Sequence, residues 1–349
     1  MRPEAIAAVE EGVRRWANPS SPHAEGRAAR AALEDARARI KAALGWDGEL
    51  IFTSGASEAL AIGLGRTKAE RRLVSAVEHD SAFRAAGPGA EVIPVAAEGQ
   101  LDRDALAEAL ARPGRAILAL QEINSEIGLM QAVSAVTEQV RVAGGLLLSD
   151  CAQSAGKFPL PDADMVVVSA HKLGGPPGIG ALLVRDFAML EPIGGQEFGY
   201  RMGTENLSGA LGFAAALEAS GPVRGREGWS DALDDAHQAL EHAIFDAGGT
   251  LVTADGPIAM HVNAYAMPNL GAAVQLIRFD MAGFAVSAGS ACSSGSLKRS
   301  RALAAFGVPE DVADRTIRVS FGWNTKPAEI DAFREAWLRM ADRARERAA

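Results

Sequence analysis

Cysteine is nearly absent from this chain, which carries only Cys151 and Cys292 in 349 residues. Two cysteines so far apart build no disulfide framework and form no Cys-x-x-Cys pair, so a disulfide scaffold and a dithiol redox protein are set aside and a reducing compartment is expected. Long apolar runs are missing as well: nothing approaches the ~18 uninterrupted apolar residues of a membrane-spanning helix. The stretch from Met1 to Trp16 mixes acidic with spaced apolar residues, the pattern of an amphipathic helix rather than an export signal. There is no dense Lys/Arg run and the formal net charge is -9, which argues against nucleic acid or an anionic membrane as a direct partner. These absences leave a cytoplasmic globular protein that deals with small molecules or other proteins.

What is present is a large apolar complement, 48% hydrophobic against 23% charged, enough to bury a sizeable core. Short apolar runs at Leu50–Thr53, Arg72–Val77, Glu91–Val95, Ala116–Leu120, Gly145–Ser149, Asp164–Ser169 and Gly180–Val184 alternate with helical patterns, the βαβ signature. Most lack strict alternation, as strands do when helices cover both faces of a parallel sheet, and in such sheets ligands sit at the carboxyl ends of the strands. From Ser208 to about Ala247 the pattern is Ala-rich and helical, broken at Gly221-Pro222. Weaker strands, a Gly/Ser loop at Gly289–Ser296, an alternating strand at Thr316–Phe321 and a charged helix follow. The expected fold class is α/β: a large domain with a mostly parallel sheet over residues 18–240, and a smaller α+β domain built from residues 1–17 and 241–349.

Several strand ends carry reactive side chains. The Asp164–Ser169 strand runs into His171 and Lys172 and then a Gly- and Pro-rich turn. A lysine whose amine is kept neutral by burial forms an imine with an aldehyde, so Lys172 is a candidate imine former; the competing reading is a solvated strand-end lysine. Asp150 ends the preceding strand and either caps a helix or pairs with a cofactor ring nitrogen. Ser54-Gly55-Ala56-Ser57-Glu58 sets small residues and backbone N–H groups at a helix start, which is a phosphate cradle or a plain capping box. His79 either stacks on a flat cofactor and moves protons or is structural. Arg318 offers a guanidinium fork to a carboxylate or sits in an internal ion pair. Cys292 lies in a Gly/Ser-rich run suited to an exposed, reactive thiol, whereas Cys151, between Asp150 and Ala152, reads as packed and inert.

Together these segments resemble the cysteine desulfurases, within the class V aminotransferase group of pyridoxal phosphate enzymes. The resemblance spans nearly the whole chain. It is carried by Asn18-Pro19-Ser20-Ser21 with His23, Gly26 and Arg27; by Phe52 to Glu58; by Glu78-His79; by Asn124-Ser125-Glu126-Ile127-Gly128; by Asp150 to Lys157; by Ser169 to Gly180; by Gly194-Gly195-Gln196-Glu197 with Arg201 to Asn206; and by the Cys292 loop and the Arg318 strand. It implies the aspartate-aminotransferase-like fold of pyridoxal-phosphate-dependent transferases. It further implies that Lys172 binds pyridoxal 5'-phosphate covalently, that His79 stacks on its ring, that Asp150 holds the ring nitrogen and that Gln153 contacts the ring oxygen. Ala56, Ser57, Ser169 and His171 would hold the phosphate, and Thr204 would reach that of a neighbouring subunit, which makes the protein a homodimer. Arg318 would anchor the carboxylate of L-cysteine, and Cys292 would take its sulfur as a persulfide for iron-sulfur cluster assembly or another acceptor protein. No metal is implied.

Three departures from the family pattern stand out. The family's first strand, with its Asn/Asp-Ala-Thr-Thr segment, has no counterpart here; Ser125 stands where a second asparagine is usual; and Cys151 replaces a small residue. Another class V enzyme, such as an aminotransferase or a selenocysteine lyase, is the nearest alternative, and an inactive partner with the same fold is a second.

Overall fold

A computed structural model of the chain describes residues 1–221, 230–288 and 300–346. The chain divides into two compact units. The first comprises Met1–Ile93, Leu101–Ile123 and Gln131–Gly225; the second comprises Pro94–Gln100, Asn124–Met130 and Arg226–Ala349.

The first unit runs α1 (Pro3–Arg14), α2 (Ala24–Leu44), β1 (Glu49–Thr53), α3 (Ala56–Gly65), β2 (Arg71–Ser75), α4 (Asp80–Ala86), β3 (Glu91–Ile93), α5 (Arg103–Leu110), β4 (Ala116–Gln121), α6 (Val133–Val142), β5 (Leu146–Asp150), β6 (Met165–Ser169), β7 (Gly180–Val184) and α7 (Leu207–Ala219). Its strands form one sheet of seven in the order β1-β7-β6-β5-β4-β2-β3. All neighbours pair in parallel except at β7, which is antiparallel to both β6 and β1. β1 and β6 therefore point the same way, and the carboxyl ends of β1, β6, β5, β4 and β2 share one edge of the sheet.

The strands are apolar throughout because each face is covered. Leu50, Phe52, Leu118, Leu147, Val166 and Val168 pack into one hydrophobic cluster, which also takes Leu33 of α2 and Phe213 of α7. Ile51, Ala119, Leu148, Met165 and Val167 pack into another, with Leu60 of α3 and Ala82 of α4. Fully burying each such Leu, Ile or Phe contributes about 1.5–3 kcal/mol.

Residues 1–17, which the sequence pattern groups with the smaller part, lie in the first unit instead, because α1 packs along α7. Gly12 marks the close approach: a Cβ there would stand 2.7 Å from the Cα of Ser208. At the edge of the sheet, the backbone N–H of Phe52 in β1 donates to a carboxylate oxygen of Glu197 at 2.7 Å. Arg37 of α2 grips both oxygens of that carboxylate, at 2.8 and 3.0 Å.

The second unit contains α8 (Asp231–Asp246), β8 (Thr250–Leu251), β9 (Val262–Ala266), α9 (Ala272–Met281), α10 (Arg301–Ala305), α11 (Glu310–Ala313), β10 (Thr316–Ser320) and α12 (Pro327–Glu346). β10, β9 and β8 form an antiparallel sheet in that order. Its core gathers Tyr265, Phe279, Phe333 and Trp337, each almost wholly buried.

Candidate active site

Strand register assembles the site before any side chain is considered. Thr53 and Ser169 both face Gly180, so the β1–α3 turn and the segment following β6 emerge together. Asp150 pairs with Val167 of β6 on one side and Gln121 of β4 on the other, at the same end of the sheet. The turn after β2 is drawn in by Glu78, whose Oε1 accepts the Gln121 backbone N–H at 2.5 Å. His79, Asp150, Ser169, His171, Lys172 and the start of α3 thus line one edge of the first unit.

The β1–α3 turn is not a plain capping box. Gly55 is the N-cap of α3, and among the described residues it makes no side-chain cap hydrogen bond. Its φ of +148° is open to glycine and strained for other residues. Glu58 accepts the N–H of Ser54, the residue before the N-cap, at 2.5 Å, and Arg201 pairs with the same carboxylate at 3.2 Å. Ala56 is half-buried and Ser57 exposed at this helix end. Ser169 is buried close by, its hydroxyl 3.0 Å from Nδ1 of His171. A helix N-terminus with uncapped N–H groups, a hydroxyl and an imidazole is a donor set suited to a phosphate dianion.

Asp150 is buried and accepts the Ala152 N–H at 2.9 Å. Burial raises its pKa, while the Ala152 N–H and the charges of His79 and Lys172 pull it down. Glu78, buried within reach of the Asp150 charge, is pushed up to about 8, by burial first and by Asp150 second. A buried carboxylate that also repels a second acid is a fitting partner for a protonated ring nitrogen. His79 caps α4: its Nδ1 accepts the Ser81 N–H at 3.2 Å and lies 2.7 Å from the Ser81 hydroxyl. Burial lowers the His79 pKa, and the Asp150 and Asp80 charges oppose the shift. Lys172 is exposed at the end of a short 3₁₀ turn, Ala170–Lys172, and Gln153 is half-buried in the loop after β5. These groups match what pyridoxal phosphate requires: a phosphate cradle, a carboxylate for the ring nitrogen and an amine for the aldehyde. Thr204 is exposed, ahead of the buried Glu205 that Arg30 binds.

The remaining predicted residues belong to the second unit. Arg318 lies on β10 and donates from Nη1 to the Ser125 carbonyl at 3.0 Å. Its backbone pairs with Ser287, N–H to O in both directions. Asn124 spends its side-chain oxygen on the N–H groups of Glu126 and Ile127, so it fastens its own turn. Cys292 lies outside the described residues, as does the whole Gly289–Ser296 loop. Cys151 is fully buried, and its thiol pKa is raised by burial and then by Glu122.

Sequence reasoning assigned no role to Glu78, Lys157 or Arg2. Glu78 and Lys157 stand inside the quoted motifs, so their positions were signalled without their contacts. Nothing local signals Arg2, whose partners lie far along the chain.

A sequence model of the class V aminotransferases matches residues 2–333. The chain belongs to the class V aminotransferase family. Among its relatives in that family, the cysteine desulfurase of Cereibacter sphaeroides is 34% identical, over 99% of this chain and 94% of the relative. The cysteine desulfurase of Bradyrhizobium diazoefficiens is 36% identical, over 90% of this chain and 85% of its own. In structure, this family member is similar to the NifS-like protein of Rickettsia africae, with a TM-score of 0.87 at 26% identity, covering 98% of this chain and 96% of the other. It is also similar to an SspA solved in complex with cysteine, with a TM-score of 0.76 at 27% identity, covering 92% and 95% of the two chains. Among the described residues, no helix is long and apolar enough to cross a membrane.

Proposed function

We infer that this chain is a pyridoxal-phosphate-dependent cysteine desulfurase that converts L-cysteine to L-alanine and passes the sulfur to Cys292. The observation that carries the reading is the shared sheet edge, where a buried Asp150, the amine of Lys172 and an uncapped α3 N-terminus come together. The two desulfurases related to the chain over nine-tenths or more of its length support it.

When bound, the cofactor supplies an electron sink next to the substrate amine. The chain's own residues do the rest. Ala56 and Ser57, with the Ser169 hydroxyl and His171, would hold the phosphate; Asp150 would keep the ring nitrogen protonated; Gln153 would contact the ring oxygen; and His79 would stack on the ring and move protons. Lys172 would hold the cofactor through its amine and then exchange protons with the substrate. Arg318 takes the substrate carboxylate in a two-point hydrogen bond. The Cys292 thiolate attacks the substrate sulfur, the carbon-sulfur bond breaks, and the products are alanine and a Cys292 persulfide that an acceptor protein, as in iron-sulfur cluster assembly, takes up. Thr204, exposed beside the exposed Met202, is assigned to the phosphate of a second subunit in a cytoplasmic homodimer.

Replacement of Cys292 tests the reading. The Cys292→Ser variant is expected to bind the yellow cofactor as the parent does and to lose production of alanine and sulfide from cysteine. Undiminished sulfide release by that variant overturns the assignment, and an aminotransferase would show keto-acid turnover instead.

A further inference from the structure

The turn that carries Lys172 is held from outside itself. Three consecutive carbonyls each meet a donor from a distant part of the first unit. The Lys172 carbonyl accepts from Nζ of Lys157 at 3.1 Å, the Leu173 carbonyl from Nε of Arg2 at 3.2 Å, and the Gly174 carbonyl from the Arg2 backbone N–H at 2.7 Å. Within the turn, the Ala170 carbonyl accepts from the Leu173 and Gly175 N–H groups.

Both cations have a second anchor. Lys157 also donates to the Gln153 carbonyl at 2.8 Å, so one ammonium ties the loop after β5 to the loop after β6. Arg2 donates from Nη1 to the Ala219 carbonyl at 3.0 Å, at the end of α7. Gly174, at φ +92°, leaves room for the arginine stem, since a Cβ there would fall 2.7 Å from Cγ of Arg2. Burial lowers the Lys157 pKa to about 8, and the charges of Lys172 and Arg2 add to the shift.

We propose that Lys157 and Arg2 are positioning residues for the desulfurase reaction, clamping the backbone of the Lys172 turn so that its amine and the Gln153 loop keep a fixed relation. The proposal rests on the functional reading above. Hydrogen bonds from charged donors are the stronger kind, and a reactive group must be held to within ~0.5 Å of its productive place, so three tethered carbonyls, beginning at Lys172 itself, set the aim of its amine.

The test uses holoenzyme saturated with pyridoxal phosphate. It compares Lys157→Met and Arg2→Ala with the conservative Lys157→Arg and Arg2→Lys. Arg39→Ala is the control; it removes the surface pair of Arg39 with Glu218 of α7, at 2.6 and 2.7 Å, and touches nothing in the turn. Readouts are kcat and KM for cysteine by alanine formation, the pH midpoint of the visible cofactor band, and the melting temperature. Lys157→Met and Arg2→Ala are expected to lower kcat by about tenfold or more, with KM within about threefold, and to move the band midpoint. Lys157→Arg should regain most of the rate, and Arg39→Ala should leave both kcat and midpoint in place. Variants that keep the parent's midpoint and a kcat within about twofold of it overturn the clamp, as does a control that changes both in the same way. A parent that takes up no pyridoxal phosphate overturns the functional reading with it; a yellow, active parent with unaffected variants overturns the clamp alone.

Discussion

Glu78 shows what burial does to an acid whose neighbour carries the same charge. Its pKa rises from 4.5 to about 8, through desolvation and then the Asp150 charge, against the pull of the Gln121 N–H. Across that window the folded chain holds a proton that the unfolded chain has released, so stability falls as pH rises from 4.5 and levels off above the folded value. Glu78→Gln cannot ionise and keeps an oxygen for the Gln121 N–H. Between about pH 5 and 9 the variant is expected to gain on the parent by on the order of a few kcal/mol in urea unfolding. A difference between the two that is constant with pH rules this out. That Asp150 stands at the end of β5, and His79 and Lys172 a few residues beyond the ends of β2 and β6, was legible in the sequence because an apolar run that stops at polar residues marks its own end. Glu78 and Lys157 were not, because what they touch is backbone from other elements, and no spacing in the sequence records that.

At the scale of elements, the strands of the first unit were legible to within about two residues at each end, since covering both faces of a sheet leaves a continuous apolar run between polar ends. β3 stops at Ile93, short of the expected Val95, because Pro94 cannot donate to a ladder. What the pattern could not reveal is how the open side of β1 is closed. Glu197 takes the Phe52 N–H there while neutralising Arg37, which is 5% exposed. Glu197→Ala leaves that guanidinium buried without its partner and is expected to cost about 3–5 kcal/mol, read as a lower urea midpoint with unchanged m. A loss below about 1 kcal/mol would mean that Glu34, the other carboxylate on Arg37 at 2.9 Å, carries the charge alone.

For the molecule as a whole, two units were legible from the break after α7, but their composition was not. The helix at the start of the chain reads only as amphipathic; its choice of α7 as partner depends on contacts across some two hundred residues. Short stretches such as 94–100 and 124–130 belong to the second unit although they interrupt the first, and nothing in their composition says so. Pairings this distant carry a kinetic consequence, because a long loop must close before either contact contributes. On refolding from urea with pyridoxal phosphate present, growth of the visible cofactor band is expected to lag behind recovery of the far-ultraviolet helix signal. Simultaneous recovery of the two would refute it.

The Arg2 bonds to Gly174 and Ala219 carry the same point into biosynthesis. A nascent chain cannot form the Arg2 bond to Ala219 until the ribosome has released α7, so the outer support of the lysine turn is completed only after all seven strands of the first sheet have been made.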